Sequence, residues 1–143
     1  MDTPGVRVMK PCRDQLQMRP VDLESLLAAD HPARIVWAFV ARLDLRPLYA
    51  EIKDAGDQPG RPAIDPAVLL ALWLFATLDG VGSARALDRL CGEHDAYRWI
   101  CGGVEVNYHT LSDFRMQHVK FLDDLLTRSV AALMMDGTVT LNR

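Results

Sequence analysis

No stretch of this sequence stays apolar for long enough to cross a bilayer. The most apolar run, AVLLALWLFATL from Ala67 to Leu78, is about twelve residues where a spanning helix needs roughly twenty. It reads instead as a helix surrounded by protein. The N-terminus has basic residues but no apolar segment behind them, so a secretory signal is not expected, and cytoplasmic residence, with no membrane partner, is the default. Cysteine is scarce: Cys12, Cys91 and Cys101 stand at irregular spacing, a pattern of reduced thiols rather than of a disulfide framework. A strong charge of either sign is also missing. With 16 basic against 19 acidic side chains the net charge is −3, so any attraction to nucleic acid has to come from a local patch.

What is present is material for a core. The chain has 143 residues, half of them apolar, which suffices for one compact domain. Residues 1–20 carry four basic side chains against two acidic ones, with two internal prolines and no helical period; they read as an extended basic arm. A short helix with Asp22 at its cap is expected next, stopping near His31-Pro32. PARIVWAFVARLDL then places Ile35, Val36, Phe39, Val40 and Leu43 on one helical stripe opened by proline, and a shorter helix lies around RPLYAEIKDAG. After the loop DAGDQPGRPAIDP, Asp65 and Pro66 form a strong helix start. The helix they open is apolar on nearly every face, so it belongs at the centre of a bundle with Trp73 and Phe75 as core aromatics.

The next segment suggests a hairpin of two helices. Ser83 caps the first, whose Ala84, Leu87, Leu90 and Cys91 share an apolar face while Arg85 and Arg89 lie one turn apart on the other. The second runs from Asp95 to Gly102-Gly103. VEVNY alternates like a brief strand, and Thr110 with Asp113 three residues on resembles a capping box. From that start Leu111, Phe114 and His118 face inward, while Ser112 and Arg115 face elsewhere. A last helix carries Leu122, Leu125, Leu126, Val130 and Leu133 as far as Gly137. TVTLNR then alternates like an opening strand. The expected fold is therefore all-α: a compact helical bundle with a helix-turn-helix-like hairpin, plus a short C-terminal strand cut off from an α/β domain that would follow.

Enzyme machinery is not evident. Two-metal phosphoryl transfer needs several carboxylates converging on sites about 4 Å apart, but the acids here fall on solvent-facing helix positions, mostly offset by arginines. A nucleophilic cysteine with a histidine base is conceivable, although Cys91 sits on an apolar stripe, where the residue acts as a small hydrophobe. Cys91, His94, Cys101 and His109 give C-x2-H-x6-C-x7-H; structural zinc favours short paired spacings on both sides, and only half of that pattern exists. Buried or capping roles are the expectation for these four.

Four motifs in order carry a resemblance: GRP-x-x-x-P entering the apolar helix, S-x-R-x-L in the next, YRW-x-CGG, and HTLSDFR. Over roughly residues 30 to 143 the chain is similar to the N-terminal helical region of bacterial insertion-sequence transposases whose ribonuclease-H-like catalytic domain uses an Asp-Asp-Glu triad. The resemblance implies a domain that recognises terminal inverted repeats in double-stranded DNA and helps assemble the synaptic complex. It also implies that the first catalytic aspartate lies beyond LNR, with Asp136 at a different position, so no catalytic residue is carried over and Mg²⁺ is expected only in the missing catalytic domain. The implied organisation is an arm at 1–20, the helical transposase domain at 21–137, and the start of a truncated catalytic domain at 138–143.

Helix N-termini attract phosphate, and arginine and short polar side chains reach base edges. The candidate DNA contacts are Arg85, Arg89, Arg98, Ser112, Arg115 and His118. The competing expectation is that Arg85 pairs with Asp88 or Asp79 and Arg98 with Asp95, as ordinary surface ion pairs. The alternative function is a protein-interaction module that dimerises with itself or with full-length transposase, or an inert remnant.

Overall fold

The computed structural model describes residues 5–54 and 63–135, without the side chains of 53 and 54. A 3₁₀ turn at Glu24–Leu26 is followed by seven α-helices: α1 Pro32–Ala41, α2 Arg46–Asp54, α3 Pro66–Leu78, α4 Ala84–Glu93, α5 Asp95–Cys101, α6 Tyr108–Gln117 and α7 Val119–Met135. The described residues contain no strand. The fold is all-α, as expected. The GRP of the first motif, Asp136 and the TVTLNR segment lie outside the described residues.

The architecture is organised around α3. Asp65 caps it, its Oδ1 accepting from the Ala67 amide at 2.9 Å, and Pro66 occupies the first turn, where its missing N–H costs nothing. Every residue of α3 except Thr77 is buried. A helix without a polar face is stable only when covered all round, and α1, α5 and α7 cover this one. Burying a leucine fully is worth about 1.5–3 kcal/mol, and Leu69, Leu70, Leu72, Leu74 and Leu78 are all buried here. Trp73 also satisfies its only donor, Nε1 donating to the Leu111 carbonyl at 3.1 Å, which ties α6 to the centre.

The end of α3 is equally specified. Gly80 takes the left-handed conformation at φ 78°, the Gly80 amide donates to Thr77 O, and the Val81 amide reaches back to Ala76 O at 2.7 Å. These two bonds form a Schellman cap, which favours glycine at that position. Asp79, just before it, accepts from the hydroxyl of the fully buried Tyr97 at 2.8 Å, and the Tyr97 ring packs edge-on against Phe75 at 5.1 Å. Burial, then the bond to Asp79, pushes the Tyr97 phenol well above its ordinary pKa.

Three local expectations are corrected. The short helix before α1 is a single 3₁₀ turn whose N-cap position is Leu23 rather than Asp22, with the Asp22 carboxylate accepting from the Ser25 amide at 2.8 Å. VEVNY is not a strand: residues 104–107 are irregular, since the described residues offer nothing for them to pair with. The cap of α6 is Asn107 rather than Thr110, with Asn107 Oδ1 accepting from the Thr110 amide at 2.9 Å. Both side chains are good caps, but the tight turn after Gly103 brings the chain into helix three residues earlier. His31 Nδ1 caps α1, accepting from the Ala33 amide at 3.0 Å, and the expected stop of the last helix at Gly137 lies outside the described residues.

Residues 5–20 form no helix or strand and are exposed throughout. No described helix is long and apolar enough to cross a membrane.

Candidate nucleic-acid interface

Helices α4 and α6 carry most of the candidate residues, and their contacts fix how they lie. Arg115 near the end of α6 reaches Gly82 just before α4, its Nη1 donating to the Gly82 carbonyl at 2.8 Å. Tyr108 at the start of α6 meets α4 further along: the Arg85 guanidinium stacks on its ring at 4.4 Å, and Asp88 Oδ2 accepts from its amide at 3.0 Å. The pairing runs in opposite order on the two helices, so they lie antiparallel there. Tyr108, Ser112 and Arg115, at i, i+4 and i+7, follow one stripe of α6. Arg85 and Arg89, one turn apart, follow the adjoining stripe of α4. Four of the six candidates, Arg85, Arg89, Ser112 and Arg115, are thereby brought to one face.

Each arginine on that face has a different environment. Arg85 does not pair with Asp88 or Asp79; those carboxylates are engaged by the Tyr108 amide and the Tyr97 hydroxyl. It stacks on Tyr108 instead, and the His109 ring lies beside Tyr108 at 4.0 Å. Arg115, itself exposed, lies over the buried Trp73 ring at 4.8 Å. Arg89 is exposed and forms no ion pair among the described residues. Stacking of a guanidinium on an aromatic face leaves its edge donors available.

The other two candidates lie elsewhere. Arg98 on α5 pairs with Asp95 at 3.2 Å, the ion pair expected as the competing reading. His118 caps the end of α6 with its side chain only 11% exposed, against the Phe114 ring at 5.1 Å and with Nε2 3.3 Å from Glu51 of α2. Its inward leaning is as expected. Sequence reasoning does not single out Tyr108 or His109 as part of this face. Placing the helix start at Asn107 would have pointed to Tyr108, since its ring then falls one turn before Ser112.

The four zinc-spaced residues separate into two groups. Cys91 and Cys101 come together at the α4–α5 hairpin; the neighbouring Cys101 thiol and then burial push the Cys91 thiol up, while the neighbouring Cys91 lowers Cys101. They line a cleft of ≈ 470 Å³ together with Leu23, Asp88, Arg98 and Glu105. His94 turns away to cap α5, its Nδ1 accepting from the Ala96 amide at 3.3 Å, and His109 lies against Tyr108. Among the described residues no group of three or more His, Cys, Asp or Glu side chains is placed to hold a metal ion.

The family model described as "Transposase domain (DUF772)" matches residues 21–117, about two thirds of the chain. The matched span begins before the 3₁₀ turn and closes at the last residue of α6, so it contains the whole α4–α6 face. No curated protein and no solved structure matches the sequence.

Proposed function

From the membership of this chain in the Transposase domain (DUF772) family, we propose that it is a DNA-recognition and assembly domain acting on the terminal inverted repeats of an insertion sequence, in the cytoplasm. The observation that supports this reading is the α4–α6 face, where Arg85, Arg89, Ser112 and Arg115 share one surface on two rigid helices. Bracing Arg85 on Tyr108 and Arg115 on Trp73 reduces the side-chain entropy that binding would otherwise cost. Arg98 and His118 are left out of the proposed contact set, since one is ion-paired on α5 and the other is packed behind Phe114.

Two different contributions to binding follow. Base edges are read from the helical face, and phosphates are met by the arm, which carries Arg7, Lys10, Arg13 and Arg19. With a net charge of −3, affinity should be modest and fade quickly as salt rises. Recognition is the role proposed for this chain.

The test is a mobility-shift series on the inverted repeat against a scrambled duplex, at low and at physiological salt. Arg89→Ala is the cleanest probe because its side chain is in no ion pair among the described residues; it should cost about 1–3 kcal/mol on the repeat and relax sequence preference. Replacing the four basic residues of the arm should weaken both duplexes alike and flatten the salt slope by up to about 0.9 for each phosphate left without its cation. If neither salt gives any preference for the repeat, the reading passes to a protein-interaction module that pairs with itself or with full-length transposase. Phe121, Met134 and Met135, all exposed on α7, would be the surface to examine.

A further inference from the structure

Two of the three thiols come together, although nothing in DNA recognition uses them. Cys91 lies in the last turn of α4 and Cys101 is the final residue of α5. The two helices fold back on each other about a single linking residue, His94, which caps the end of one and the start of the other. That turn brings the two thiols to one cleft, and neither is in a disulfide. Both line the ≈ 470 Å³ cleft, so a reagent no larger than a few atoms reaches them even though Cys101 is only 5% exposed. Cys12, by contrast, is exposed on the arm and does not line the cleft.

We propose that Cys91 and Cys101 form a redox modification site, at which hydrogen peroxide closes a reversible disulfide between the C-terminal ends of α4 and α5. The site is independent of the DNA-recognition reading, since it concerns the hairpin itself and none of the four residues on the binding face.

The chemistry balances with one peroxide. The two thiols act on each other so that Cys91 is pushed up and Cys101 lowered, which favours the thiolate at Cys101 and leaves the proton on Cys91. The Cys101 thiolate attacks one peroxide oxygen, the O–O bond breaks, and the departing hydroxide takes up a proton as the first water, leaving a sulfenic acid. The Cys91 sulfur then attacks the Cys101 sulfur: the S–S bond forms, the S–O bond breaks, and the hydroxyl leaves with the Cys91 proton as the second water. Two thiols are oxidised by two electrons in total, and one peroxide is reduced to two waters. Because the partner thiol lines the same cleft, this second step competes with further oxidation of the sulfenic acid. The resulting short ring fastens the hairpin and removes conformations from the unfolded chain.

The full chain is treated with hydrogen peroxide, free thiols are alkylated with iodoacetamide, and the protein is digested with trypsin without reduction. Cleavage after Arg89, Arg98 and Arg115 leaves Cys91 in the peptide Leu90–Arg98 and Cys101 in Trp99–Arg115. The expected product is these two peptides joined and two hydrogens lighter than the separate pair, released by dithiothreitol. It should vanish in Cys91→Ser and in Cys101→Ser and persist in Cys12→Ser. The oxidised protein should melt higher, by a shift on the order of 5 °C. Separate peptides bearing alkylated thiols or single sulfinic acids, or Cys12 joined to either partner in comparable yield, would overturn the proposal. Should the serine variants fail to fold, Cys12→Ser still decides it, because the remaining pair must close in the folded protein.

Discussion

Replacing Arg115 with alanine separates a structural arginine from a DNA-reading one. The side chain makes a charge-assisted hydrogen bond to the Gly82 carbonyl at 2.8 Å and lies 4.8 Å above the Trp73 ring. Bonds to charged groups contribute about 1.5–3 kcal/mol, and an exposed cation–π contact about 0.5–1 kcal/mol. Arg115 is itself exposed, so solvent competes for the guanidinium and the lower ends apply. The loss should be about 1–2 kcal/mol, which for a chain of this size lowers the melting temperature by about 3–8 °C. Arg115→Lys should recover less than half, since an ammonium keeps the charge but cannot lie flat on the indole while bonding the carbonyl. Thermal unfolding followed by circular dichroism, with Arg89→Ala as the unstrained reference, reads the difference. A melting temperature within about 1 °C of the parent for Arg115→Ala would refute the bracing argument, and any DNA-binding loss in that variant would then belong to contact alone.

Two further outcomes are expected. Asn107→Ala should destabilise by about 0.5–2 kcal/mol by removing the cap of α6, whereas Thr110→Ala should cost less, because the Thr110 hydroxyl only adds a 3.2 Å bond to the Asn107 side chain; the reverse order in denaturant midpoints would restore Thr110 as the cap. Tyr49 donates to Asp65, the cap of α3, and that bond, with burial and the nearby carboxylate charge, pushes the phenol up to about 12. The folded state therefore holds this proton through a range where the unfolded chain has released it, so the contribution is intact below about pH 10 and is lost as pH rises towards 12. Tyr49→Phe should remove that segment of the stability–pH curve, and an unchanged slope between the two pH values would contradict the assignment.

The sequence by itself determined the class of fold and its centre. Asp65-Pro66 and Asp79-Gly80 bracket a run without a polar face, and such a helix has no stable position except inside others; the structure places it there with twelve of its thirteen residues buried. Capping chemistry was legible too, at Asp65 and Ser83, because a cap is satisfied within three residues of itself and needs no tertiary partner. Where two good caps competed, at Asn107 and Thr110, local chemistry was degenerate and packing chose. The residues of the candidate face were named from the sequence, but which of them share a surface depended on tertiary structure. Nothing in the spacing of Arg85 and Tyr108, or of Arg115 and Gly82, announces a contact, since each pair is more than twenty residues apart and meets only because α4 and α6 lie antiparallel. The same holds for Cys91 and Cys101, which read as one helix-stripe hydrophobe and one glycine-flanked thiol until the turn at His94 put them side by side. Periodicity reports which face of a helix is apolar, but which polar groups become neighbours is set by how the helices cross, and that is decided by the fit of whole helix surfaces against one another.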